Sequence, residues 1–443
     1  MELSRQSLFR EIYNSSLIIF RVLFGFLLLV ETWGAILTGW VNTNLISPKV
    51  FFPFIGFNWL QPLPGYGMYI YFICLGILGL FVMIGFRYRF SLLCFTILWT
   101  AQYLMQKTAY NNHYYFLILI CIIMLFLPAN AYYSLDVKRN KNIRSLTMPQ
   151  WCSFALMFQI SILYFFACIN KLYPDWLDGT FTRLLYSNKT DFPLIGHFFT
   201  KKWFYISIAY LGILFDGLIV PLMLWKKTRT LALLASLIFH LTNSLILNVG
   251  IFPYFALSFI VLFYPPETIR KFFFKKRPNI TLEIHHYNYS NKNLVYFLMV
   301  IYFTIQLIIP LRHYFIKGNV FWTEEGHRLS WRMMLRQRNG STNFTIIDKK
   351  TKKTLSFHMD DMFTDKQIQR INCYPDFIWQ AAQYIKQDFK KHNKEVEIYA
   401  DSYVSINGHP YKKFINSKVD LAHVSWDYFK HSDWILLYDD YRK

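Results

Sequence analysis

The sequence predicts a polytopic α-helical membrane domain of about nine spans, followed by a β-rich extramembrane C-terminal domain. Three observations predict it. Hydrophobic residues make up 54% of the 443 residues and aromatic residues 20%, too apolar a mixture for a wholly water-facing surface. Apolar runs of the ~20 residues that a bilayer crossing needs recur near 16–40, 67–86, 90–107, 113–134, 151–171, 203–225, 229–249 and 294–310. From about Leu311 the composition turns polar and charged, with strand-like alternation. The boundary is therefore expected to separate a multi-span domain at 1–310 from an extramembrane domain at 311–443.

A ninth segment, 252–266, is short and aromatic. It follows Gly250 and precedes Pro265 and Pro266, so it reads either as a crossing or as a re-entrant turn. The connecting loops choose between these. Arg5 and Arg10, then Arg87 and Arg89, then Lys138, Arg139, Lys141 and Arg144 fall on every second connection. Lys226, Lys227 and Arg229, then Arg270, Lys271, Lys275, Lys276 and Arg277, follow on the same side. This alternation satisfies the positive-inside rule only if 252–266 crosses, which makes nine spans and places the C-terminal domain outside. The run after the polar N-terminus lacks a small-residue cleavage signal, so it reads as a retained signal-anchor span. The net charge of +21 is gathered in these loops, where it meets headgroups, so no nucleic-acid partner is expected. Five of the six cysteines lie inside apolar runs, with Cys373 alone in the polar part, so neither a disulfide framework nor a CxxC metal pair is present.

In the C-terminal part, Thr342–Ile347 and Thr354–Phe357 read as a hairpin around a Lys-rich turn. Val396–Ile406 reads as a second long strand that turns at Asn407-Gly408 and resumes near Tyr411. Between them, Ile378, Ala381, Ala382, Ile385 and Phe389 recur at helical spacing just after Pro375.

Polar groups inside spans cost free energy, so each is a candidate for function. Three sets stand out: Asn111-Asn112-His113 at the start of the fourth span, Asn170-Lys171 to Asp175-Trp176 at the end of the fifth, and His240 with Asn243, followed by Asn248, Gly250 and Phe252. His240 and Asn243 are three apart and share a helix face. Counting back from Gly250 puts His240 roughly 15 Å below the external surface. The positive-inside topology places all three sets toward one side, where a single polar pocket would gather them. Each set also has a structural reading. Lys171 fits a snorkelling anchor with Trp176 as belt residue, His113 an interfacial hydrogen-bonder, and His240 with Asn243 an interhelix hydrogen bond. His285-His286 lacks an HExxH-type partner and is assigned no metal. Glu31 and Asp216, within the first and sixth spans, receive no role.

At these residues the chain resembles the vitamin K-dependent γ-carboxylase family, almost from end to end. The resemblance rests on Asn111-Asn112-His113, Lys171-Leu172 with Asp175-Trp176, and His240 through Asn243-Ser244 to Gly250 and Phe252-Pro253-Tyr254. In the C-terminal part it rests on Trp322-Thr323-Glu324-Glu325-Gly326, Ser330-Trp331, Val404-Ser405-Ile406-Asn407-Gly408 and Val419-Asp420. The resemblance implies oxygenation of a reduced naphthoquinone to its epoxide while a peptidyl glutamate gains a carboxyl group from CO2. It implies that Lys171 is the initiating base and that His113 assists the glutamate carbanion step. Asn112, His240, Asn243 and Phe252 would line the quinol pocket. Separately, the mixed aromatic and acidic character of Trp322, Glu324 and Glu325, soon after the last span, leads to the expectation that they cover the pocket mouth and help bind the peptide. Reduced vitamin K (menaquinol or phylloquinol), O2 and CO2 are the implied co-substrates, with no metal; the partners are a Glu-containing polypeptide, the lipid bilayer and its quinol.

The chemistry has a physical logic of its own. A glutamate γ carbon–hydrogen bond is too weak an acid for any side-chain base, so a stronger base must be made where water is excluded, and quinol oxidation supplies the energy. A lysine beside Ile162–Ala167 is partly desolvated, which favours its neutral, basic form. The chain departs from animal members in carrying Asn170 where they have a second lysine, and in lacking an obvious inter-domain cysteine pair. Its Lys, Asn and Ile content suits a bacterial inner-membrane protein with a periplasmic C-terminal domain, the eukaryotic counterpart being lumenal in the endoplasmic reticulum. Competing readings are a quinol epoxidase that carboxylates no peptide, a transporter or proton relay using Lys171, His113 and His240, and a non-catalytic membrane scaffold.

Overall fold

In the computed structural model, which describes residues 5–247, 249–275 and 291–438, six helices are long and apolar enough to cross a bilayer. They are Ser15–Leu37, Gly67–Ile84, Trp151–Asn170, Lys202–Leu224, Arg229–Leu247 and Lys292–Phe315. The other expected spans are also helical but shorter or less apolar: Tyr88–Met105, Asn112–Phe126, and the successive pieces Phe252–Ser258 and Ile260–Phe263. Asn248, the His285-His286 pair, Lys276 and Arg277 lie outside the described residues.

Local sequence explains where these helices begin and end. Asn111 caps Asn112–Phe126 by accepting the Tyr114 amide at 2.8 Å, and Gly85, at φ +65°, closes Gly67–Ile84 in the left-handed conformation. Lys202–Leu224 buries one stripe, Ala209, Gly212, Asp216, Ile219 and Met223, while Leu211, Leu214 and Leu218 stay exposed as a lipid-facing surface requires. Arg229–Leu247 does the same with Ala232, Ser236 and His240 inward. Asp216 and His240 thus point into the bundle. The 252–266 segment also lies inside it, with Phe255 packed on Phe24 and Phe116, and Phe259 on Phe20.

Both charges within the first span have partners. Arg21, fully buried, donates to the carbonyls of Ala129 and Tyr133, which closes the turn after Asn112–Phe126. Glu31 accepts the Tyr114 hydroxyl at 2.6 Å.

The C-terminal region contains a four-stranded antiparallel sheet together with helices, among them the one expected after Pro375. Arg338–Asp348 and Val396–Ile406 pair along their whole length, from Arg338 opposite Ile406 to Asp348 opposite Val396. Short strands Thr354–Leu355 and Lys412–Lys413 flank them at the positions the hairpin and Asn407-Gly408 signals predict. The helix Pro375–Lys391 covers the sheet with Ile378, Ala381, Ala382 and Ile385, which is why alternating residues of both long strands are buried. Phe52, from the connection after the first span, inserts among Phe363, Phe377 and Tyr384 of this core. Residues before 310 therefore help to complete the C-terminal core.

Candidate active site

Two cavities meet where the helical bundle joins the C-terminal region. The first, of about 140 Å³, lies between Trp151–Asn170, Lys202–Leu224, Arg229–Leu247 and the start of Phe252–Ser258. Its walls are mostly apolar, including Leu163, Phe239 and Phe252, and its polar groups are Lys171, Asp216, His240, Asn243, Tyr164 and His113, with the hydroxyls of Thr182 and Tyr186. Lys171 stands just past the last turn of its helix. Its ammonium pairs with Asp216 and lies 5.2 Å from the centre of the Trp176 ring. Gly212, one turn before Asp216, faces the same space: a Cβ there would make ordinary contacts, 3.5 Å from the Trp176 ring and 4.0 Å from Lys171 Nζ. Deeper in, His240 Nε2 and the Tyr164 hydroxyl are 2.9 Å apart. Phe252 stacks on His113 with ring centres 3.9 Å apart.

The second cavity, about 320 Å³, is strongly cationic. Lys107, Arg328, Arg332, Arg336 and Arg370 line it together with Asn112, His113 and Tyr374. Two buried carboxylates neutralise part of this charge: Asp376 pairs with Lys107 and with Arg328, and Glu324 pairs with Arg336 and Arg338. No carboxylate pairs with Arg332 or Arg370 among the described residues. Burial and the neighbouring Arg336 push the Arg332 guanidinium down to about 10. Burial also brings the Lys107 ammonium down to about 7 against the pull of Asp376, and burial with Arg336 and Arg328 keeps His327 well below its ordinary value. A low-dielectric space with unspent positive charge suits an anion.

The partition between the cavities is His113 with Met333 and Met334, which border both. The segment that supplies the methionines is strained, for Leu329, Trp331 and Met334 all have positive φ, costing of order 1–3 kcal/mol each. Surroundings hold it in place. Trp331 is fully buried against Tyr115 and Phe116, the Leu329 amide donates to Tyr110 at 3.0 Å, and Asn170 donates to Ser330 O at 3.0 Å. Asn170 also accepts from Arg332 at 3.0 Å, so a lysine at this position would face a guanidinium.

The structure thus gathers Lys171, His113, His240, Asn243 and Phe252 around one cavity. Asn112 lies on the second instead, turned away by its bonds to Tyr110 and to Arg332 O. Trp322, Glu324 and Glu325 border neither. Trp322 is buried in the C-terminal core against Phe414, Glu324 is held by its arginines at the edge of a third cavity, and Glu325 accepts from His431 and the Ser432 amide. Asp216, Tyr164, Met333, Met334 and the arginines at 328, 332, 336 and 370 joined the site without being singled out by sequence. Asp216 was visible as an unexplained acid; the four-residue spacing of Arg328, Arg332 and Arg336 was the other signal.

The chain matches the HTTM domain family model over residues 9–267, more than half its length. Residues 291–441 match the model of the vitamin K-dependent gamma-carboxylase lumenal domain. The chain belongs to the vitamin K-dependent gamma-carboxylase family. No solved structure matches it. Membership agrees with the resemblance read from the motifs and brings vitamin K-dependent carboxylation of Glu-containing substrates as the family's general activity. The apolar helices and the lumenal-domain match make the chain a membrane protein.

Proposed function

We propose that this protein carboxylates peptidyl glutamate to γ-carboxyglutamate, coupled to epoxidation of a naphthoquinol, with the two half-reactions in the two adjoining cavities. The observation that carries this reading is the shared wall: His113 borders both the apolar cavity that contains Lys171 and the cationic cavity beyond it. The reduced quinone is consumed in each turnover and is therefore a substrate; its oxidation supplies the driving force. Leu163, Phe239 and Phe252 suit its ring system, and Lys171, His240 and Asn243 supply polar contacts for its oxygens. Lys171 takes the quinol proton, and His113 assists the step in which the glutamate γ-carbon, docked from the cationic side, meets CO2. Arg332 and Arg370, which lack carboxylate partners among the described residues, hold the substrate carboxylate. Asn112 fixes the wall through Arg332 O. Trp322, Glu324 and Glu325 act on the peptide indirectly, with Glu324 setting the direction of Arg336 and Arg338.

This reading uses nine crossings: the six, Tyr88–Met105, Asn112–Phe126, and Phe252–Phe263 counted as one. It has the C-terminal domain on the external face, periplasmic in a bacterium, and it requires O2 and CO2 but no metal. The test is to incubate the detergent-purified protein with menaquinol, labelled bicarbonate, O2 and a Glu-containing peptide, scoring epoxide and peptide label separately. Both products are expected. Epoxide without label would reduce the function to quinol epoxidation, and neither product, with solute flux in liposomes, would replace it with transport.

A further inference from the structure

Among the described residues Asp216 is the one carboxylate that lines the apolar cavity, and the proposed base is already paired with it. Both side chains are largely buried, Lys171 with 12% and Asp216 with 5% of its side chain exposed. The ion pair offsets the desolvation that each charge would suffer alone, so the carboxylate is built into the site of the lysine. An ammonium has no lone pair with which to take a proton from a quinol. The basicity of this site therefore belongs to the pair. Other polar groups nearby do not replace it: Tyr164 is engaged with His240, His113 is stacked on Phe252, Thr182 donates to backbone carbonyls, Asn243 is an amide, Tyr186 carries a phenol and Cys168 is a thiol.

We propose that Asp216 is the proton-holding partner of Lys171, acting through it. This rests on the quinol reading of the cavity. In the first step an Nζ–H bond of Lys171 breaks and an O–H bond forms on Asp216. The quinol O–H bond then breaks and a new Nζ–H bond forms on Lys171, with the electron pair left on the quinol oxygen. One proton has moved from quinol to Asp216, nothing has been oxidised, and Lys171 is again an ammonium, now facing the quinolate.

The experiment compares wild type with Asp216→Asn, Asp216→Glu, Lys171→Ala and the double variant Lys171→Ala/Asp216→Ala. Asp216→Asn should lower kcat for epoxide about 100-fold or more with quinol KM little changed, and Asp216→Glu should return it to within about tenfold of wild type. Ethylamine should partly restore Lys171→Ala but not the double variant. Independently of turnover, anaerobic addition of menaquinol should produce a protonated-carboxyl band in the infrared spectrum of wild type that is missing from Asp216→Asn. If Asp216→Asn folds poorly, the amine rescue and the wild-type infrared band still decide. Near-normal epoxidation by Asp216→Asn, amine rescue that survives loss of Asp216, or no carboxyl band in wild type overturns the proposal. Wild type that makes no epoxide overturns the quinol reading instead.

Discussion

Lys171 separates an enzyme from a membrane anchor more sharply than any other residue. Lys171→Ala should abolish epoxide and carboxylated product together while the protein still folds, and Lys171→Arg should do no better, since a guanidinium stays protonated. An anchor predicts the reverse, because arginine reaches headgroups as well as lysine does. Near-normal epoxide from Lys171→Arg, measured by chromatography of the quinone products, would sink the base assignment. His113 belongs to the wall between the cavities, so its loss should fall on the second half-reaction. His113→Ala is expected to lower peptide carboxylation at least tenfold more than epoxide formation, scored as the ratio of label to epoxide in one incubation.

Among the elements, the first two long helices approach closely because their contacts are made by glycine. A Cβ on Gly25 would lie 2.3 Å from the backbone nitrogen of Met83, and one on Gly79 2.9 Å from the backbone nitrogen of Leu29. Backbone atoms cannot swing aside as a side-chain tip can. Gly25→Ala should therefore push the helices apart and destabilise the bundle by about 1–3 kcal/mol, read as a lower Tm in detergent. Gly34, whose Cβ would meet nothing within 4 Å, is the control and should tolerate alanine.

At the scale of the whole molecule, bundle and C-terminal region are clamped by a buried triad. Lys107, before the Asn112–Phe126 helix, and Arg328 both pair with Asp376 in the Pro375–Lys391 helix. Burial alone would raise the Asp376 carboxyl, but Arg328 and Lys107 hold it well below the ordinary aspartate range. A carboxylate held low contributes stability that is fully present above its unfolded value, about 4, and is lost as pH falls through the folded value. Arg328 keeps its charge when Lys107 loses its proton above about 7, so the alkaline side should be less sensitive. Asp376→Asn leaves two buried cations unmatched and should cost about 3–5 kcal/mol, with faster proteolysis at the junction and a weaker acid dependence of melting. Proteolysis and melting unchanged from wild type would show that the clamp carries no load. Topology is tested at the same scale by a cysteine placed at Ser145, expected to resist labelling from the external side.

Much of this was legible in the chain because its signals are local. Apolar runs located the helices, and hydrophobic spacing after Pro375 located the helix over the sheet. The turn residues Asn407-Gly408 marked where the long strand ends, and the motifs around His113, Lys171 and His240 named the family that the domain matches bear out. The sequence by itself determined these because periodicity, turn chemistry and short motifs are properties of neighbours along the chain. What only the tertiary structure decided depends on residues far apart in sequence meeting in space. Asp216 is an unexplained acid until its helix stripe turns it toward Lys171, and Asn112 lines the cationic cavity because Arg332, 220 positions later, takes its amide. Arg328, Arg332 and Arg336 look like one basic stretch on paper. Their charges differ in use because Asp376 and Glu324 reach Arg328 and Arg336, while no carboxylate among the described residues reaches Arg332.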